Sequence, residues 1–330
     1  MHTFNSLLLK PELQENLVSL NFTTLTPIQN LSLPQILLGK DVIGKAKTGS
    51  GKTVAYGLGL LEKIDLQLSE IQSLVLCPTR ELADQVSLEI RKLARKIPNV
   101  KLLTLCGGVP KRGQKESLQS GAHILVGTPG RILDHLEANN FSLKQLKVLV
   151  LDEADKMLDM GFEQSIEQIV THCPKQRQTL LFSATYPEKI QTLSRKYQRH
   201  AIMISAELEE EKNEITEYFY HVAKPNKIET LVQVLQNEQF KTAVVFCNTK
   251  SEVLFVAKQL EKNQLSTLAF HGDLEQRDRD FILAKFMLQG ANVLVATDIA
   301  SRGLDMKDLD VVVNYEMPQK AETYVHRIGR

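Results

Sequence analysis

The sequence predicts an α/β protein built from two tandem parallel-sheet domains. Short apolar runs of strand type alternate with amphipathic helical stretches from Asp41 to about Ile204, which is the pattern of a parallel sheet with crossover helices. The same alternation resumes after an acidic segment. A glycine-rich loop also follows the first strand and precedes a helix, as in nucleotide-binding sheets. The length of 330 residues fits two domains of ordinary size.

Composition narrows the class of protein. Hydrophobic residues make up 43% of the chain and charged residues 24%, which is typical of globular proteins. The longest apolar runs are too short to cross a membrane, so we expect a cytoplasmic protein without membrane contact. The four cysteines form no CxxC pair, which favours buried, reduced thiols over a disulfide or zinc site. The formal charge of +1 means that any nucleic-acid site must be a local patch.

The first domain is predicted to cover residues 1–204. Its predicted strands are DVIGKA, SLVLC, KLLTLC, HILVGT, KVLVLD and TLLFSAT, and helical stretches such as ELADQVSLEIRKLARKI lie between them. Residues 205–214, SAELEEEKNE, have no apolar face and are interpreted as a solvated linker. The second domain, residues 215–330, has the predicted strands ITEYFYHV, TAVVFC, STLAF, NVLVAT and DVVVNY. Loops at the carboxyl ends of such strands are where parallel sheets carry chemistry.

The loop AKTGSGKT follows the first predicted strand and has the composition of a phosphate-binding loop. Its glycines allow backbone amides to surround phosphate oxygens at a helix N-terminus. Lys52 would reach the β and γ phosphates, and the hydroxyl of Thr53 suits Mg²⁺. The alternative is a glycine-rich turn that merely starts a helix. The predicted nucleotide-binding residues of this loop are Ala46, Lys47, Thr48, Gly49, Ser50, Gly51, Lys52 and Thr53.

The run VLVLDEAD places acidic residues directly after an apolar strand. In ATPases with a phosphate loop, a carboxylate at this point holds Mg²⁺ and the next one positions or deprotonates the attacking water. Asp152 fits the first role and Glu153 the second. The alternative is an acidic helix N-terminus that the helix dipole favours. The phosphate loop upstream favours the catalytic interpretation.

With AKTGSGKT and DEAD in one domain, the chain resembles the DEAD-box RNA helicases, and its runs LCPTRELADQV and HGDLEQRDRD are similar to the bacterial DbpA branch. The resemblance implies two RecA-like domains of the P-loop NTPase type. It also implies that the family pattern continues past Arg330, so that the second domain is incomplete. TPIQ resembles the adenine-reading motif of the family, which implies adenine contacts by Phe22, Thr26 and Gln29. Asn21 and Leu25 depart from the usual Gly and Pro of that motif.

The resemblance also implies RNA-backbone contacts in both domains. In the first domain they would come from PTRELA, the glycine pair and TPGR, that is, from Pro78, Thr79, Arg80, Gly107, Gly108, Thr128, Pro129, Gly130 and Arg131. In the second domain they would come from Thr249, Lys250, Gln276, Arg279 and Thr297. Taken singly, most of these motifs are also ordinary turns or helix caps. SAT is similar to the motif that couples hydrolysis to duplex separation, through Ser183, Thr185 and Asp155.

The end of the chain supplies the remaining expected nucleotide contacts. The resemblance implies that Gly303 and Asp305 lie at the nucleotide and that Arg327 and Arg330 reach the γ-phosphate as arginine fingers. A guanidinium there neutralises charge that develops in phosphoryl transfer. His271 and His326 are expected to organise loops.

The expected function is therefore that of an RNA helicase driven by ATP with Mg²⁺. Its substrate would be single-stranded RNA or short RNA duplexes, with ribosomal RNA as the implied target, and its core would be monomeric. Two alternatives stay open from sequence: an ATP-gated RNA clamp with little unwinding, and a DNA translocase built on the same plan.

Overall fold

The computed structural model describes residues 3–46, 49–205, 215–237, 240–298, 309–319 and 321–328. The chain divides into two compact units, Met1–Glu211 and Lys212–Arg330. The division falls inside the predicted linker, most of which lies outside the described residues. The bounds of that linker stay a prediction.

The first unit contains a seven-stranded sheet in which every neighbouring pair of strands is parallel. The strands in chain order are β1 Val42–Lys45, β2 Ser73–Leu76, β3 Leu102–Leu105, β4 Ile124–Gly127, β5 Val148–Leu151, β6 Gln178–Ser183 and β7 Ile202–Ser205. Across the sheet their order is β3-β4-β2-β5-β6-β1-β7. Strands β2, β4, β5 and β6 are buried on both faces, which explains their continuous apolar runs.

Helices cover both faces of this sheet. They are α1 Pro11–Ser19, α2 Pro27–Leu37, α3 Lys52–Lys63, α4 Arg80–Leu93, α5 Lys111–Gln119, α6 Pro129–Glu137, α7 Ala154–Asp159, α8 Glu163–Thr171 and α9 Glu188–Tyr197. Two separate apolar clusters result, because alternate residues of each strand point to opposite faces. Val148 and Val150 of β5 belong to one cluster, and Leu149 and Leu151 belong to the other.

Strand β7 was not among the strands that we predicted from the sequence. It pairs with β1 at the edge of the sheet, with Val42 opposite Ile202. Its burial is partial and Met203 is half exposed, so it lacks the continuous apolar run by which the central strands are recognised.

The second unit contains a four-stranded parallel sheet in the order β11-β8-β10-β9. Its strands are β8 Ala243–Cys247, β9 Thr267–Phe270, β10 Val293–Thr297 and β11 Val311–Asn314. Its helices are α10 Lys227–Asn237, α11 Lys250–Lys262, α12 Gln276–Met287 and α13 Ala321–Ile328. The two central strands, β8 and β10, are almost fully buried between two apolar clusters.

The predicted strand ITEYFYHV, residues 215–222, is wrong. The segment has no regular secondary structure, and within the described residues it pairs with no strand. Tyr218 and Phe219 are 73% and 74% exposed. Aromatic and β-branched residues favour a strand where a neighbouring strand is present, and in the described part of the chain this segment has no such neighbour.

The four cysteines are unpaired and buried, as the sequence predicted. Burial raises the pKa of Cys106 and of Cys247 to about 12 and the pKa of Cys173 to about 11. None of the helices in the described ranges combines the length and the apolar composition that crossing a membrane requires.

Candidate functional site

The predicted motifs of the first unit all lie at one edge of its sheet. The strands are parallel, so their carboxyl ends meet at the same edge. The phosphate loop follows β1, SAT ends β6 and the DEAD run follows β5, and these three strands are neighbours. The predicted RNA motifs follow β2, β4 and β3, which are neighbours on the other side of β5. Sheet order therefore separates the predicted nucleotide motifs from the predicted RNA motifs along one edge, and we call these two parts the nucleotide half and the RNA half.

The phosphate loop makes a turn that depends on glycine. Gly49 and Gly51 have φ of 81° and 90°, in the left-handed region that side chains disfavour. Gly51 is the N-cap of α3, and a Cβ at this position would lie 2.4 Å from Nε2 of Gln29. The ammonium of Lys52 is buried and donates a hydrogen bond to the carbonyl of Ala46 at 3.2 Å. Backbone amides at the start of α3 and this ammonium form a site suited to an anion.

The structure brings the predicted adenine motif directly onto the phosphate loop. Gln29 is buried, its Oε1 accepts from the backbone N–H of Thr26 at 2.9 Å, and its Nε2 donates to the carbonyl of Gly51 at 3.1 Å. The hydroxyl of Thr26 donates to the carbonyl of Ser50 at 2.8 Å. Phe22 is half-buried and stacks on Phe4, with ring centroids 5.8 Å apart. These side chains hold the loop, and their adenine contacts stay a prediction.

Asp152 lies at the end of β5 and is 2% exposed. Its Oδ1 accepts from the backbone N–H of Glu153 at 3.0 Å, and its Oδ2 accepts from the hydroxyl of Tyr56 at 2.7 Å. Burial raises the pKa of Asp152, while the charge of Lys52 acts in the opposite direction. Lys52, on the neighbouring loop, therefore favours the ionised carboxylate that a divalent cation needs.

Glu153 forms a buried ion pair. Its backbone is left-handed with φ of 50°, and it is the N-cap of α7. Its Oε2 lies 2.8 Å from Nζ of Lys156, and both side chains are less than 10% exposed. An ion pair at i,i+3 on a short helix fixes the direction of the carboxylate. The predicted base is thus held by a positive charge that the sequence analysis did not single out.

Asp155 connects the DEAD run to SAT. Its Oδ2 accepts from the backbone N–H of Thr185 at 3.0 Å and from the hydroxyl of Thr185 at 2.9 Å. Its Oδ1 accepts from the N–H of Lys156 at 2.9 Å. The hydroxyl of Ser183, also buried, has no hydrogen-bond partner in the described part of the chain. The structure therefore contains the contact between Asp155 and SAT that the resemblance implies.

The predicted RNA residues of the first unit differ in accessibility. Gly108 is exposed, and Gly107, Arg80, Thr128 and Gly130 are partly exposed. A Cβ at Gly108 would lie 2.1 Å from a terminal nitrogen of Arg80, so the PTRELA and glycine-pair motifs are in contact. The remaining members, Pro78, Thr79, Pro129 and Arg131, are buried.

Two of these buried residues have internal roles. The hydroxyl of Thr79 caps α4 by accepting from the N–H of Leu82 at 3.3 Å. Arg131 donates to the carbonyl of Val109 at 3.0 Å and to Oε1 of Gln114 at 2.7 Å. Both side chains hold the loops that carry the exposed residues of the predicted RNA motifs.

The predicted RNA residues of the second unit lie at the carboxyl ends of β8, β9 and β10. Thr249 caps α11, and Lys250 pairs with Asp273 at 2.5 Å. Gln276 donates to Asp280 at 2.7 Å, and the guanidinium of Arg279 lies 5.1 Å from the ring centre of Phe270. Thr297 ends β10 and is partly exposed. The set shares one sheet edge, as the strand pattern predicts.

Arg327 is placed differently from the expected arginine finger. Its side chain is 2% exposed and lies inside the second unit, where Nε and one terminal nitrogen bind Asp298 at 2.5 and 2.8 Å. The other hydrogen bonds go to Asn314, the carbonyl of Glu316 and Asn248. Its guanidinium also lies 5.0 Å from the ring centre of Phe246. In the structure this arginine joins the ends of β8, β10 and β11, and its role in phosphoryl transfer stays a prediction.

Several predicted site residues lie outside the described residues: Lys47, Thr48, Gly303, Asp305 and Arg330. Two contacting residues were missed by the sequence analysis, namely Tyr56 and Lys156. Each follows a predicted site residue by three positions on a helix, Thr53 and Glu153 respectively, and i,i+3 side chains share a helix face. That spacing is the signal by which both could have been found.

Comparisons with known proteins agree on a single family. The family profile for DEAD/DEAH box helicases matches residues 26–193, and that for the helicase conserved C-terminal domain matches residues 226–330. The chain is 51% identical to the ATP-dependent RNA helicase DbpA of Escherichia coli, over all of this chain and 72% of the relative. It is 40% identical to the DEAD-box ATP-dependent RNA helicase CshA of Geobacillus kaustophilus, over all of this chain and 71% of the relative.

Solved structures give the same result. Dbp5 of Saccharomyces cerevisiae bound to RNA and ADP BeF3 matches all of this chain and 86% of its own, at 28% identity and a TM-score of 0.85. A DEAD box protein from Methanococcus jannaschii matches 99% of this chain and 89% of its own, at 38% identity and a TM-score of 0.60.

Proposed function

Because the chain belongs to the DEAD/DEAH box helicase family and is an ATP-dependent RNA helicase, we propose that one edge of its first sheet binds both ligands. ATP with Mg²⁺ binds at the ends of β1, β6 and β5, and RNA binds at the ends of β2, β4 and β3. The observation that carries this proposal is the sheet order, which makes the strands of each set neighbours and places β5 of the nucleotide set beside β2 of the RNA set. The double hydrogen bond from Thr185 to Asp155 joins β6 to the DEAD run.

The residues of the nucleotide half have separate roles. Lys52 and the amides at the start of α3 bind the phosphates. The hydroxyl of Thr53 and the carboxylate of Asp152 are oxygen donors, which Mg²⁺ prefers. Among the described residues no cluster of three His, Cys, Asp or Glu side chains forms a metal cage, and Mg²⁺ typically takes one or two protein oxygens together with phosphates and waters. When bound, Mg²⁺ neutralises charge on the phosphate oxygens.

Glu153 is the proposed base for the attacking water. Its buried carboxylate follows Asp152 directly and is held by Lys156 at 2.8 Å. A positioned carboxylate can orient the water and accept its proton as the bond to the γ-phosphorus forms.

The RNA half contacts phosphate and ribose. Exposed backbone at Gly107, Gly108 and Gly130, with the side chain of Arg80, offers N–H donors and one guanidinium to phosphate oxygens. Such contacts are largely indifferent to base sequence, and contacts to 2′-hydroxyls select RNA over DNA. ATP and RNA raise each other's affinity by the same factor if both favour one state of the enzyme.

Finer assignments rest on the family alone. We propose a ribosomal RNA target because of the similarity to DbpA, and a core that acts as a monomer. A cytoplasmic location accords with four unpaired, buried cysteines, since such thiols suit a reducing compartment.

The test is ATP hydrolysis measured without nucleic acid, with single-stranded RNA and with DNA of the same sequence. We expect RNA alone to stimulate the rate. Lys52→Ala should abolish turnover in all three conditions, whereas Lys92→Ala, which removes an exposed lysine of α4, should not. Equal rates with and without RNA would contradict the proposal. Release of a labelled RNA duplex, counted per ATP consumed, then separates a helicase from a clamp, because a clamp consumes ATP without releasing strands.

A further inference from the structure

A buried tyrosine contacts Asp152, one of the proposed Mg²⁺ ligands. Tyr56 of α3 has no exposed surface, and its hydroxyl donates to Oδ2 of Asp152 at 2.7 Å. Thr53, the other proposed ligand, lies three residues earlier on the same helix. One phenolic oxygen therefore joins the carboxylate after β5 to the helix that carries Thr53.

The position of this hydroxyl is fixed by packing. The ring of Tyr56 lies against Phe182 of β6, with centroids 5.5 Å apart and an angle of 47° between the ring planes. Phe182 occupies space that a side chain at Gly44 of β1 would fill, because a Cβ there would lie 2.4 Å from the Phe182 ring. The ring of Tyr56 is thus held against Phe182 of β6, which itself packs against Gly44 of β1.

A carboxylate needs such a partner to keep one orientation. Rotation of the Asp carboxylate about its terminal bond is broad and only two-fold, so one hydrogen bond does not fix its plane. In Asp152 one oxygen accepts from the N–H of Glu153 and the other from the hydroxyl of Tyr56. The first donor belongs to the backbone and is present for any side chain at position 56. The second exists only because position 56 is tyrosine.

We propose that Tyr56 is a positioning residue for Mg²⁺, which holds the Asp152 carboxylate in the orientation that binds the cation with the nucleotide. Groups that orient the ligands of a metal typically change metal affinity by 10- to 100-fold when they are removed. The proposal rests on the proposed function, because it assumes that Asp152 and Thr53 bind Mg²⁺.

The alternative is that the hydroxyl only satisfies a buried carboxylate and stabilises the domain. The two readings differ in their dependence on Mg²⁺. If the hydroxyl is purely structural, its removal changes the nucleotide affinity equally with and without the cation. If the hydroxyl positions Asp152, its removal changes only the increase in nucleotide affinity that Mg²⁺ causes.

The test is the binding of a fluorescent ADP analogue to the full chain, measured from zero Mg²⁺ with chelator to saturating Mg²⁺. Tyr56→Phe removes the hydroxyl and keeps the ring. Tyr197→Phe, at the end of α9 and away from the nucleotide site, is the matched control. We expect Tyr56→Phe to bind the analogue normally without Mg²⁺ and to require about tenfold more Mg²⁺ for half-maximal enhancement. Tyr197→Phe should follow the unmodified chain throughout.

The outcomes separate the inference from the function on which it rests. Coincident Mg²⁺ titrations for Tyr56→Phe and the unmodified chain would refute the positioning role and leave the proposed function intact. An equal loss of affinity with and without Mg²⁺ would also refute it, in favour of a structural hydroxyl. If the unmodified chain bound the analogue with no effect of Mg²⁺, the proposed Mg²⁺ ligands Asp152 and Thr53 would fail, and the inference with them, whereas no binding at all would refute the proposed nucleotide site.

Discussion

Gln29 gives the sharpest prediction, because its amide bridges two parts of the nucleotide site. Oε1 accepts from Thr26 at the start of α2, and Nε2 donates to the carbonyl of Gly51 in the phosphate loop. The sequence resemblance assigns this side chain to adenine, whereas the structure shows it holding the loop. Gln29→Ala therefore tests which contact matters more.

The magnitude follows from the one hydrogen bond that reaches the loop, because the bond from Thr26 lies within the cap of α2. This bond contributes about 1 kcal/mol net. If phosphates bind only the ordered loop, this cost appears in the affinity, and about 1 kcal/mol corresponds to about fivefold. The loss should be equal for every ligand that uses the loop, with or without an adenine base.

The assay is competition binding of ATP, GTP and inorganic tripolyphosphate to the unmodified chain and to Gln29→Ala. We expect the affinity for tripolyphosphate to fall about fivefold, which is the loss that the loop contact alone dictates. The affinity for ATP should fall at least as much. Any loss of ATP affinity beyond the loss of GTP affinity measures adenine recognition. Gln14→Ala on α1 is the control, since among the described residues its amide donates to the carbonyls of Phe4 and Leu7 and not to the phosphate loop. Unchanged tripolyphosphate affinity in Gln29→Ala would refute the role in holding the loop.

Three further predictions concern the base, the buried arginine and the thiols. Glu153→Gln should bind ATP yet lose at least about 100-fold in RNA-stimulated turnover, and near-normal turnover would remove it as the base. Arg327→Ala should lower the free energy of unfolding of the second unit by about 3 to 5 kcal/mol, because Asp298 loses a buried partner. Separate urea transitions of the two units would show this, and an unchanged second transition with failed hydrolysis would restore the arginine-finger role. With a pKa of about 12, only about one Cys106 thiol in 10⁴ is ionised at pH 8, so native protein should resist iodoacetamide until it is unfolded. Rapid labelling of native Cys106 would contradict its burial.

The sequence predicted the central strands well because they are buried on both faces. Runs such as VLVL in β5 and LVL in β2 are apolar throughout, and only a strand inside a covered parallel sheet needs that composition. Edge and unpaired segments gave no such signal. IMIS forms an edge strand that we missed, and ITEYFYHV has strand composition without a neighbouring strand. Composition reports local preference, whereas pairing depends on residues far along the chain.

From the sequence it could be predicted which loop carries each residue of the candidate site. Strand ends of a parallel sheet share an edge, so motif order along the chain was enough to place Lys52, Asp152 and Thr185 together. It did not give the side-chain partners. The hydrogen bonds to Asp152 from Tyr56 and to the phosphate loop from Gln29 span 96 and 22 residues, and they depend on how helices pack against the sheet. The burial of Arg327 is likewise a property of three strand ends and one helix.

The DEAD run is hydrogen-bonded to two different parts of the site, and these bonds connect α3, the helix that follows the phosphate loop, to SAT. Asp152 is bonded to Tyr56 of α3, while Asp155 is bonded to Thr185 after β6. Asp152 precedes the short helix α7 and Asp155 lies in its first turn, and the residue at the start of the helix, Glu153, is left-handed. The strands β5 and β6, which carry the two motifs, are adjacent and roughly 5 Å apart. We therefore expect a shift of Asp152 at the phosphates to reach Thr185 through the short turn that ends at Asp155. If SAT couples hydrolysis to duplex separation, as the resemblance implies, this contact is the expected route within the first unit.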